Sequence, residues 1–264
     1  MNILICGYGF TTQFLANNFD SFNYKILTQK EDIPEDLKFQ QNSKFLPEIV
    51  IDSIPPIFKE NEMINPIYKE ILLDLYTKKK FVYTHISSTS VYPDENATYT
   101  EESEIPYFTE KGKLRWELEE KILNVFPYAL IVRAGGIYGR ERNLLLSLKK
   151  GNSQSLFRVN KIVYRIHVYD LCQILLKASI KIWDSGIETS IFRGYKRKNL
   201  ILAIEPKNTY LQEVLEYLKA NFQIEISKSL ESTKTTRILK SLYSKDLIDF
   251  KYPDIFSFFN EFSE

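Results

Sequence analysis

The fold of this chain is decided by its opening stretch, Asn2-Ile-Leu-Ile-Cys-Gly-Tyr-Gly-Phe-Thr-Thr-Gln-Phe-Leu15. The apolar run that ends at Cys6 predicts a strand, and the apolar side chains that follow the glycines predict a helix. A glycine at the first turn position permits a tight turn, and a second glycine lets the backbone approach a pyrophosphate at the helix N-terminus. The stretch therefore predicts a dinucleotide-binding turn formed by Gly7, Tyr8, Gly9, Phe10 and Thr11. The alternative is a turn that only reverses the chain.

Apolar strands and amphipathic helices alternate over most of the remaining sequence. Strands are predicted at 24–28, 48–52, 81–86 and 128–132, with long helices at 61–80 and 113–126. This alternation predicts an α/β fold, a Rossmann-type doubly wound parallel sheet. After about residue 151 we expect a helix near 171–182, a strand near 200–204 and a helix at 211–222. We therefore expect a single NAD(P)-binding domain over 1–264, in which residues from about 151 onward form a small C-terminal substrate-side lobe.

Composition excludes several classes of function. Hydrophobic residues make up 44% of the 264 residues, which suffices for a buried core, and the net charge of +1 argues against a nucleic-acid partner. Cys6 and Cys172 lie in apolar runs, and neither they nor the two histidines form a metal-ligand cluster, so no metal is expected. No apolar run has membrane-spanning length and no signal peptide is evident, which favours a cytoplasmic protein without a membrane partner.

The end of the second predicted strand bears on the choice of cofactor. An NAD-specific site places an acidic residue there for the ribose hydroxyls. This chain instead has Thr28 and Lys30, which suit a 2′-phosphate, so NADP is favoured and NAD is the second choice. The alternative is that Lys30 is a solvated loop lysine.

Four later segments, in order, resemble the extended short-chain dehydrogenase/reductases, the group of NAD(P)-dependent nucleotide-sugar epimerases and dehydratases. They are His85-Ile-Ser-Ser-Thr-Ser-Val-Tyr-Pro93, Arg133-Ala-Gly-Gly-Ile-Tyr-Gly139, Tyr164-Arg-Ile-His-Val-Tyr-Asp170 and the closing region from Ile238 to Asp254. The resemblance spans nearly the whole chain and is closest to the shorter, atypical members. Pro93 departs from the usual glycine.

The resemblance implies roles for individual residues. Ser88 matches the catalytic hydroxyl that binds a substrate oxygen, and Ser87 lies beside the nicotinamide. Ser53, Ile54 and Pro55 match the loop that flanks the adenosine half. Substrate-binding positions fall at Arg133, Tyr138, Arg165 and His167. The plainer alternatives are strand-end serines, a salt-bridged Arg133 and a core His167.

The family's acid/base motif, Tyr-x-x-x-Lys, is missing in the expected register. If Glu119 is aligned with the glutamate that follows that motif, Lys111 occupies the tyrosine position and Arg115 the lysine position. Arg115 can supply a fixed positive charge, but it cannot donate a proton near neutral pH. A literal Tyr107-Phe-Thr-Glu-Lys111 lies one turn earlier and is the alternative acid/base pair.

Two functions follow from the resemblance. The first is an epimerase, dehydratase or reductase that uses NAD(P) on a nucleotide sugar or related small molecule, with Ser88, Tyr107, Lys111 and Arg115 as catalytic candidates. The second is a catalytically inactive dinucleotide-binding sensor or partner-binding protein. Family members often form homodimers through a helix pair, which here would include residues 61–80 and 113–126.

Overall fold

Strands and helices alternate through the computed structural model, which describes residues 1–31, 33–41, 43–59, 62–64, 69–106, 109–151, 162–188, 191–192, 199–222, 224 and 237–262. Only the backbone is described at 57–59, 62–64 and 69. The elements are β1 (Asn2–Cys6), α1 (Phe10–Asn18), β2 (Asn23–Leu27), β3 (Ile49–Asp52), β4 (Ile57–Lys59), β5 (Glu62–Ile64), α2 (Lys69–Lys78), β6 (Val82–Ser88), β7 (Thr98–Tyr99), α3 (Glu110–Val125), β8 (Leu130–Ala134), β9 (Gly136–Tyr138), α4 (Leu144–Lys149), β10 (Arg165–His167), α5 (Val168–Asp184), β11 (Asn199–Ala203), α6 (Leu211–Phe222), β12 (Ile238–Leu239), α7 (Ser244–Leu247) and α8 (Ile255–Asn260).

The central sheet has six strands in the order β11-β8-β6-β3-β1-β2, and every neighbouring pair is parallel. Its strands are apolar because both faces of the sheet are covered by helices. The chain runs outward from β1 to β2 and then returns to β3 on the other side of β1, so the strand order reverses between β1 and β3. The predicted fold class is confirmed, and this reversal marks the edge where such sheets bind ligands.

Side chains alternate between two hydrophobic layers along each strand. In β1, Ile3 and Ile5 pack with α1 and α5, whereas Leu4 and Cys6 pack with α2 and α3. The period of two is what a strand buried on both faces requires. None of the helices in the described residues is both long enough and apolar enough to cross a membrane.

The residues after 151 contribute to the central sheet and also to a separate hydrophobic cluster. α5 packs against the sheet and β11 forms its last strand, close to the predicted positions. A separate cluster is formed by α4, α6 and α8, with Tyr138, Val214, Leu218 and Phe258 at its centre. The C-terminal part therefore completes the sheet as well as building a smaller packed unit beside it.

The structure differs from the expected helix at 61–80. β4 and β5 pair as antiparallel strands, so Glu62–Ile64 is a strand and not part of a helix, and α2 spans Lys69–Lys78. Pro66 explains why an uninterrupted helix is unfavourable, because proline disfavours helical backbone at the residue before it and lacks an amide hydrogen. Among the described residues of 61–80, the apolar positions that lie on a helix are those of α2.

One buried carboxylate joins distant parts of the chain. Glu101, which is fully buried, accepts hydrogen bonds from the backbone amides of Leu202 and Leu242, both at 2.9 Å, and from the Ser241 hydroxyl at 2.8 Å. Burial raises the pKa of Glu101, and these donors oppose the rise. The side chain thus holds the loop after β7 against β11 and the segment that precedes α7.

Candidate functional site

A cleft of about 830 Å³ lies at the carboxyl ends of the central strands, where the strand order reverses. Its wall combines the loops after β1, β2, β3, β6 and β8 with one side chain from α3. The lining residues are Gly7, Tyr8, Gly9, Phe10, Thr11, Thr28, Gln29, Lys30, Ser53, Ile54, Pro55, Pro56, Ile86, Ser87, Ser88, Arg115, Ala134, Gly135, Gly136, Ile137 and Arg142. All of the positions predicted to bind the cofactor lie in this set.

The glycine turn is stabilised by the residue that replaces the third glycine of the pattern. The Gly9 amide donates to the Thr12 hydroxyl at 3.0 Å, and that hydroxyl donates to the Gly7 carbonyl at 3.1 Å. Gly7 has a φ of +88°, a region that favours glycine. Gly9 precedes α1, whose first amides point toward the cleft edge where an anion is stabilised.

The two glycines predict different mutational outcomes. A Cβ at Gly7 would lie 3.0 Å from Ile54 Cγ1 at a positive φ, whereas a Cβ at Gly9 has no atom within 4 Å. We expect Gly7→Ala to lower the free energy of unfolding by about 1–2 kcal/mol. We expect Gly9→Ala to unfold like the wild type but to bind NADPH at least about tenfold more weakly, because its methyl group intrudes where the pyrophosphate approaches. Urea unfolding measures the stability of each variant, and titration with NADPH measures its affinity. Full NADPH affinity in Gly9→Ala would contradict this placement of the cofactor.

Lys30 connects the end of β2 to the glycine turn. Its ammonium donates to the Tyr8 carbonyl at 2.7 Å, and its amide donates to the Thr28 hydroxyl at 3.2 Å. Both Thr28 and Lys30 line the cleft, and no acidic side chain does so among the described residues. A cation and a hydroxyl therefore occupy the place where an NAD-specific site has a carboxylate.

A buried network that the sequence did not indicate holds the loop after β3. Asp52 Oδ2 accepts from the Tyr83 hydroxyl at 2.6 Å and contacts His85 Nδ1 at 3.0 Å, while Oδ1 accepts from the Ile54 amide at 3.0 Å. Burial acts to raise the pKa of Asp52, but His85 and then Tyr83 outweigh it and the pKa is lowered. Asp52 is thus a carboxylate that fixes Ser53, Ile54 and Pro55 at the cleft.

Ser87 and Ser88 reach the cleft from the end of β6. The Ser87 hydroxyl donates to Glu119 Oε1 at 2.6 Å, so this hydrogen bond joins the end of β6 to α3. The Ser88 hydroxyl accepts from the Ser90 amide at 3.2 Å. This bond holds the Ser88 side chain in place as the cap of the short 3-10 turn Thr89–Val91.

Gly112 allows α3 to lie close to the 3-10 turn Thr89–Val91. This placement of α3 puts the Arg115 side chain in the wall of the cleft. A Cβ at Gly112 would lie 3.0 Å from the Ser90 carbonyl oxygen and 3.1 Å from that of Val91, so a larger residue would push the two segments apart by a few tenths of an ångström. Arg115 follows one helical turn later and lines the cleft. Burial lowers the pKa of Arg115, although it remains a cation near neutral pH, and the charge of Glu119 opposes the shift.

The structure locates only one of the other two catalytic candidates. Lys111 is exposed in the first turn of α3 and does not line the cleft. Tyr107 lies outside the described residues, and α3 begins at Glu110 after its capping residue Thr109. The structure therefore brings together Ser88 and Arg115, but not Lys111.

Arg133 lies beneath the cleft in a buried ion pair. Its Nε and Nη2 donate to the two oxygens of Glu119 at 3.1 and 2.7 Å, and its guanidinium lies 4.9 Å from the centre of the Tyr92 ring. Burial acts to lower the pKa of Arg133, but Glu119 and Tyr92 raise it overall. This is the salt-bridged arrangement that the sequence left open, and Arg133 does not line the cleft.

Tyr138, Arg165 and His167 share one side of the parallel β9–β10 pair, and all three are buried outside the cleft. Tyr138 and Arg165 interact with the buried Glu205, yet the Tyr138 hydroxyl, Arg165 Nη1 and Glu205 Oε1 have no well-formed hydrogen bond. His167 accepts from the Tyr169 amide at 3.2 Å and packs against Tyr252. Burial lowers the pKa of His167 to about 3, so its imidazole is neutral.

Arg142 is a cleft residue that sequence reasoning missed. A turn with backbone hydrogen bonds between Gly139 and Arg142 in both directions places its guanidinium 5.9 Å from the centre of the Phe10 ring. Asn143 closes this turn through the Gly139 carbonyl at 3.0 Å. No spacing in the sequence signals such a residue, because its position depends on how the turn folds over α1.

The potential metal ligands in the described part of the chain do not cluster. Within that part of the chain no three His, Cys, Asp or Glu residues are grouped so as to hold a metal ion. Cys6 and Cys172 are both buried as free thiols, and burial raises the pKa of each.

The comparisons with known proteins rest on structure alone. Neither a protein-family model nor a curated protein matches the sequence. A functionally unknown conserved protein from Silicibacter pomeroyi aligns with a TM-score of 0.69 and 17% identity, over 96% of this chain and 94% of that chain. A dTDP-4-dehydrorhamnose reductase from Clostridium acetobutylicum aligns with a TM-score of 0.68 and 16% identity, over 100% of both chains.

Two further structures carry nicotinamide dinucleotides. A dTDP-glucose 4,6-dehydratase from Bacillus anthracis in complex with NAD has a TM-score of 0.64 at 14% identity, over 95% of this chain and 91% of that chain. RMD from Pseudomonas aeruginosa, complexed with NADPH, has a TM-score of 0.60 at 13% identity, over 94% and 92%. The chain therefore shares the Rossmann-type α/β fold of these structures.

Proposed function

We propose that this chain binds a nicotinamide dinucleotide, NADP in preference to NAD, and uses it as an epimerase, dehydratase or reductase of a nucleotide sugar or related small molecule. The observation that carries the proposal is the single cleft wall shared by the glycine turn, Lys30, Ser88 and Arg115. The bound dinucleotide would supply hydride transfer at its nicotinamide ring. The pyrophosphate fits the N-terminus of α1, where Gly9 leaves open space.

Ser88 and Arg115, which both line the cleft, suit the reacting end of a substrate. Ser88 would donate its hydroxyl hydrogen to a substrate carbonyl or hydroxyl, because its oxygen is already fixed by the Ser90 amide. Arg115 would supply a fixed positive charge there. The proton would be exchanged by Tyr107 or by a water molecule. Of the two cations considered for orienting the cofactor, Arg115 would do so, because Lys111 does not line the cleft.

A second candidate function is a non-catalytic dinucleotide-binding protein. The observation that favours it is the side chain of Arg115 in the cleft together with the exposure of Lys111: Arg115 cannot donate a proton near neutral pH, and Lys111 does not line the cleft. The fold accommodates both functions, so the decision depends on measured turnover.

The test is a titration of the purified protein with NADPH, NADH, NADP and NAD, read by fluorescence and by thermal shift. We expect the phosphorylated forms to bind more tightly. Lys30→Ala should weaken NADPH binding by about tenfold and leave NADH binding unchanged, because it removes a charge-assisted hydrogen bond to the 2′-phosphate. Lys44→Ala, an exposed lysine outside the cleft, is the matched control.

The outcomes separate the parts of the proposal. If no dinucleotide binds, the proposed function is wrong. If Lys30→Ala binds NADPH and NADH as the wild type does, only the assignment of NADP to Lys30 fails. Turnover of nucleotide sugars that is lost in Ser88→Ala supports the enzyme, whereas tight NADPH binding with no turnover of any of them supports the non-catalytic candidate.

A further inference from the structure

Two strands of the central sheet share a buried polar network at their carboxyl ends. Asp52 is the last residue of β3 and is paired in register with His85 of β6. Asp52, Tyr83 and His85 are only 1%, 3% and 2% exposed. The Tyr83 hydroxyl donates to Asp52 Oδ2 at 2.6 Å, and His85 Nδ1 lies 3.0 Å from the same oxygen. Two side chains of β6 therefore hold one oxygen of this carboxylate.

The other oxygen of Asp52 holds a loop that lines the cleft. Asp52 Oδ1 accepts from the Ile54 amide at 3.0 Å. A Cβ at Gly7 would lie 3.0 Å from Ile54 Cγ1 and 3.2 Å from Ser53 Oγ, and the Ser53 hydroxyl donates to the Cys6 carbonyl at 3.2 Å. The loop after β3 is therefore in contact with the glycine turn, and the Asp52 carboxylate determines where the loop lies relative to that turn.

The orientation of the Asp52 carboxylate depends on its donors. A buried carboxylate is costly unless its oxygens are hydrogen-bonded. Burial acts to raise the pKa of Asp52, and the donors reverse this shift, His85 before Tyr83. A carboxylate that loses one of them rotates or takes up a proton to recover a partner. Either change withdraws Oδ1 from the Ile54 amide and moves the loop.

We propose that Tyr83 and His85 are positioning residues for the adenosine half of the dinucleotide, because they orient the carboxylate that sets the distance between the loop Ser53–Pro55 and the glycine turn. This inference rests on the proposed function and deepens it. Neither side chain lines the cleft, so each acts through Asp52 and not by touching the cofactor. Their effect is on the affinity for the dinucleotide, although β6 also carries Ser88.

The experiment compares two probes, NADPH and adenosine 2′,5′-bisphosphate, which is the adenosine half of NADPH. Both are titrated calorimetrically into the wild type and the variants. Tyr83→Phe removes the hydroxyl and keeps the ring, which stacks on Phe126 at 4.5 Å. We expect Tyr83→Phe and His85→Leu to bind both probes about tenfold more weakly, and by the same factor, as the loss of one buried hydrogen bond predicts. His85→Asn should recover most of the affinity, because its amide nitrogen can replace Nδ1 as the donor.

Thr84→Val is the matched control. Thr84 lies between Tyr83 and His85 on β6, is fully buried, and its hydroxyl lies 2.6 Å from the Ser179 hydroxyl of α5. The variant therefore also loses a buried hydrogen bond of β6, but on the opposite face of the sheet. It should unfold at lower urea concentrations, as Tyr83→Phe does, and bind both probes as the wild type does.

Each other outcome decides against the inference. Full affinity for both probes in Tyr83→Phe and His85→Leu overturns it, and Tyr83→Phe alone decides if His85→Leu does not fold. An equal loss in Thr84→Val overturns it too, since a general weakening of β6 then explains the effect. A loss for NADPH without a loss for adenosine 2′,5′-bisphosphate shows that the network acts on the nicotinamide half instead. Failure of NADPH to bind the wild type overturns the proposed function, and the inference falls with it.

Discussion

Glu119→Ala is expected to lose about 3–5 kcal/mol of its free energy of unfolding, because it leaves the buried Arg133 without a counter-charge. Glu119 is 3% exposed and Arg133 5% exposed, and the two form two hydrogen bonds of 3.1 and 2.7 Å. The variant also frees the Ser87 hydroxyl, which donates to the same carboxylate. The measurement is urea unfolding near neutral pH.

Two comparisons make the reason for this loss testable. Glu117→Ala removes a more exposed carboxylate of the same helix, whose ion pair with Lys113 spans 3.8 Å, and should cost under about 0.5 kcal/mol. The double variant Glu119→Leu/Arg133→Met should recover most of the lost stability, since replacing both members of a buried pair avoids an unpaired charge. Equal losses for the single and double variants would show that packing around α3, rather than charge, accounts for the effect.

The stability of the protein is expected to fall as the pH rises, because of Glu205. This side chain is 4% exposed, and burial raises its pKa from its ordinary value of 4.5 to about 7. Tyr138 and Arg165 lower that pKa, and the charges of Asp254 and Asp170 raise it. Since the folded protein holds the proton more tightly than the unfolded chain, the stabilisation is complete below about pH 4.5 and is lost as the pH rises through about 7.

Glu205→Gln tests this prediction, since an amide has the shape of the protonated acid and does not ionise. Near pH 4.5 the variant and the wild type should unfold at similar urea concentrations; by about pH 8 the variant should be more stable by about 2–3 kcal/mol. For Glu216→Gln, at an exposed position of α6, the free energy of unfolding should change with pH as that of the wild type does. A constant difference between Glu205→Gln and the wild type would exclude Glu205 as the titrating group.

The cleft was predictable because its main signals are local. The apolar run of β1, Gly7 and the start of α1 follow one another within a few residues, and chain reversal at β1 then determines which other loops meet them. Thr28 and Ser53 directly follow β2 and β3, and Ser88 is the last residue of β6, so their places at one edge of the sheet follow once the strands are assigned. The apolar pattern and the positions of residues relative to strand ends were therefore enough to predict the fold and the residues of one wall of the cleft.

The remaining parts of the site depend on contacts that spacing does not encode. The pairing of Arg133 with Glu119 joins a strand to a helix, and the sequence alone left open whether Arg133 faces the substrate. The interaction of Tyr138 and Arg165 with Glu205 requires the parallel register of β9 and β10 and the chain that follows β11. The helix predicted at 61–80 failed for a different reason: its apolar spacing was followed across Pro66.

The hydrogen bonds of Glu101 have a consequence for the order in which the newly made protein becomes ordered. Its partners are Leu202, Ser241 and Leu242, which follow it by 101 to 141 positions. At ordinary rates of synthesis the ribosome needs on the order of 10 s to reach the last of them. Until then water has to take the place of these three donors, although β1, β2 and β3 are already available to pair. The loop after β7 is therefore among the last parts of the nascent chain to be fixed in place.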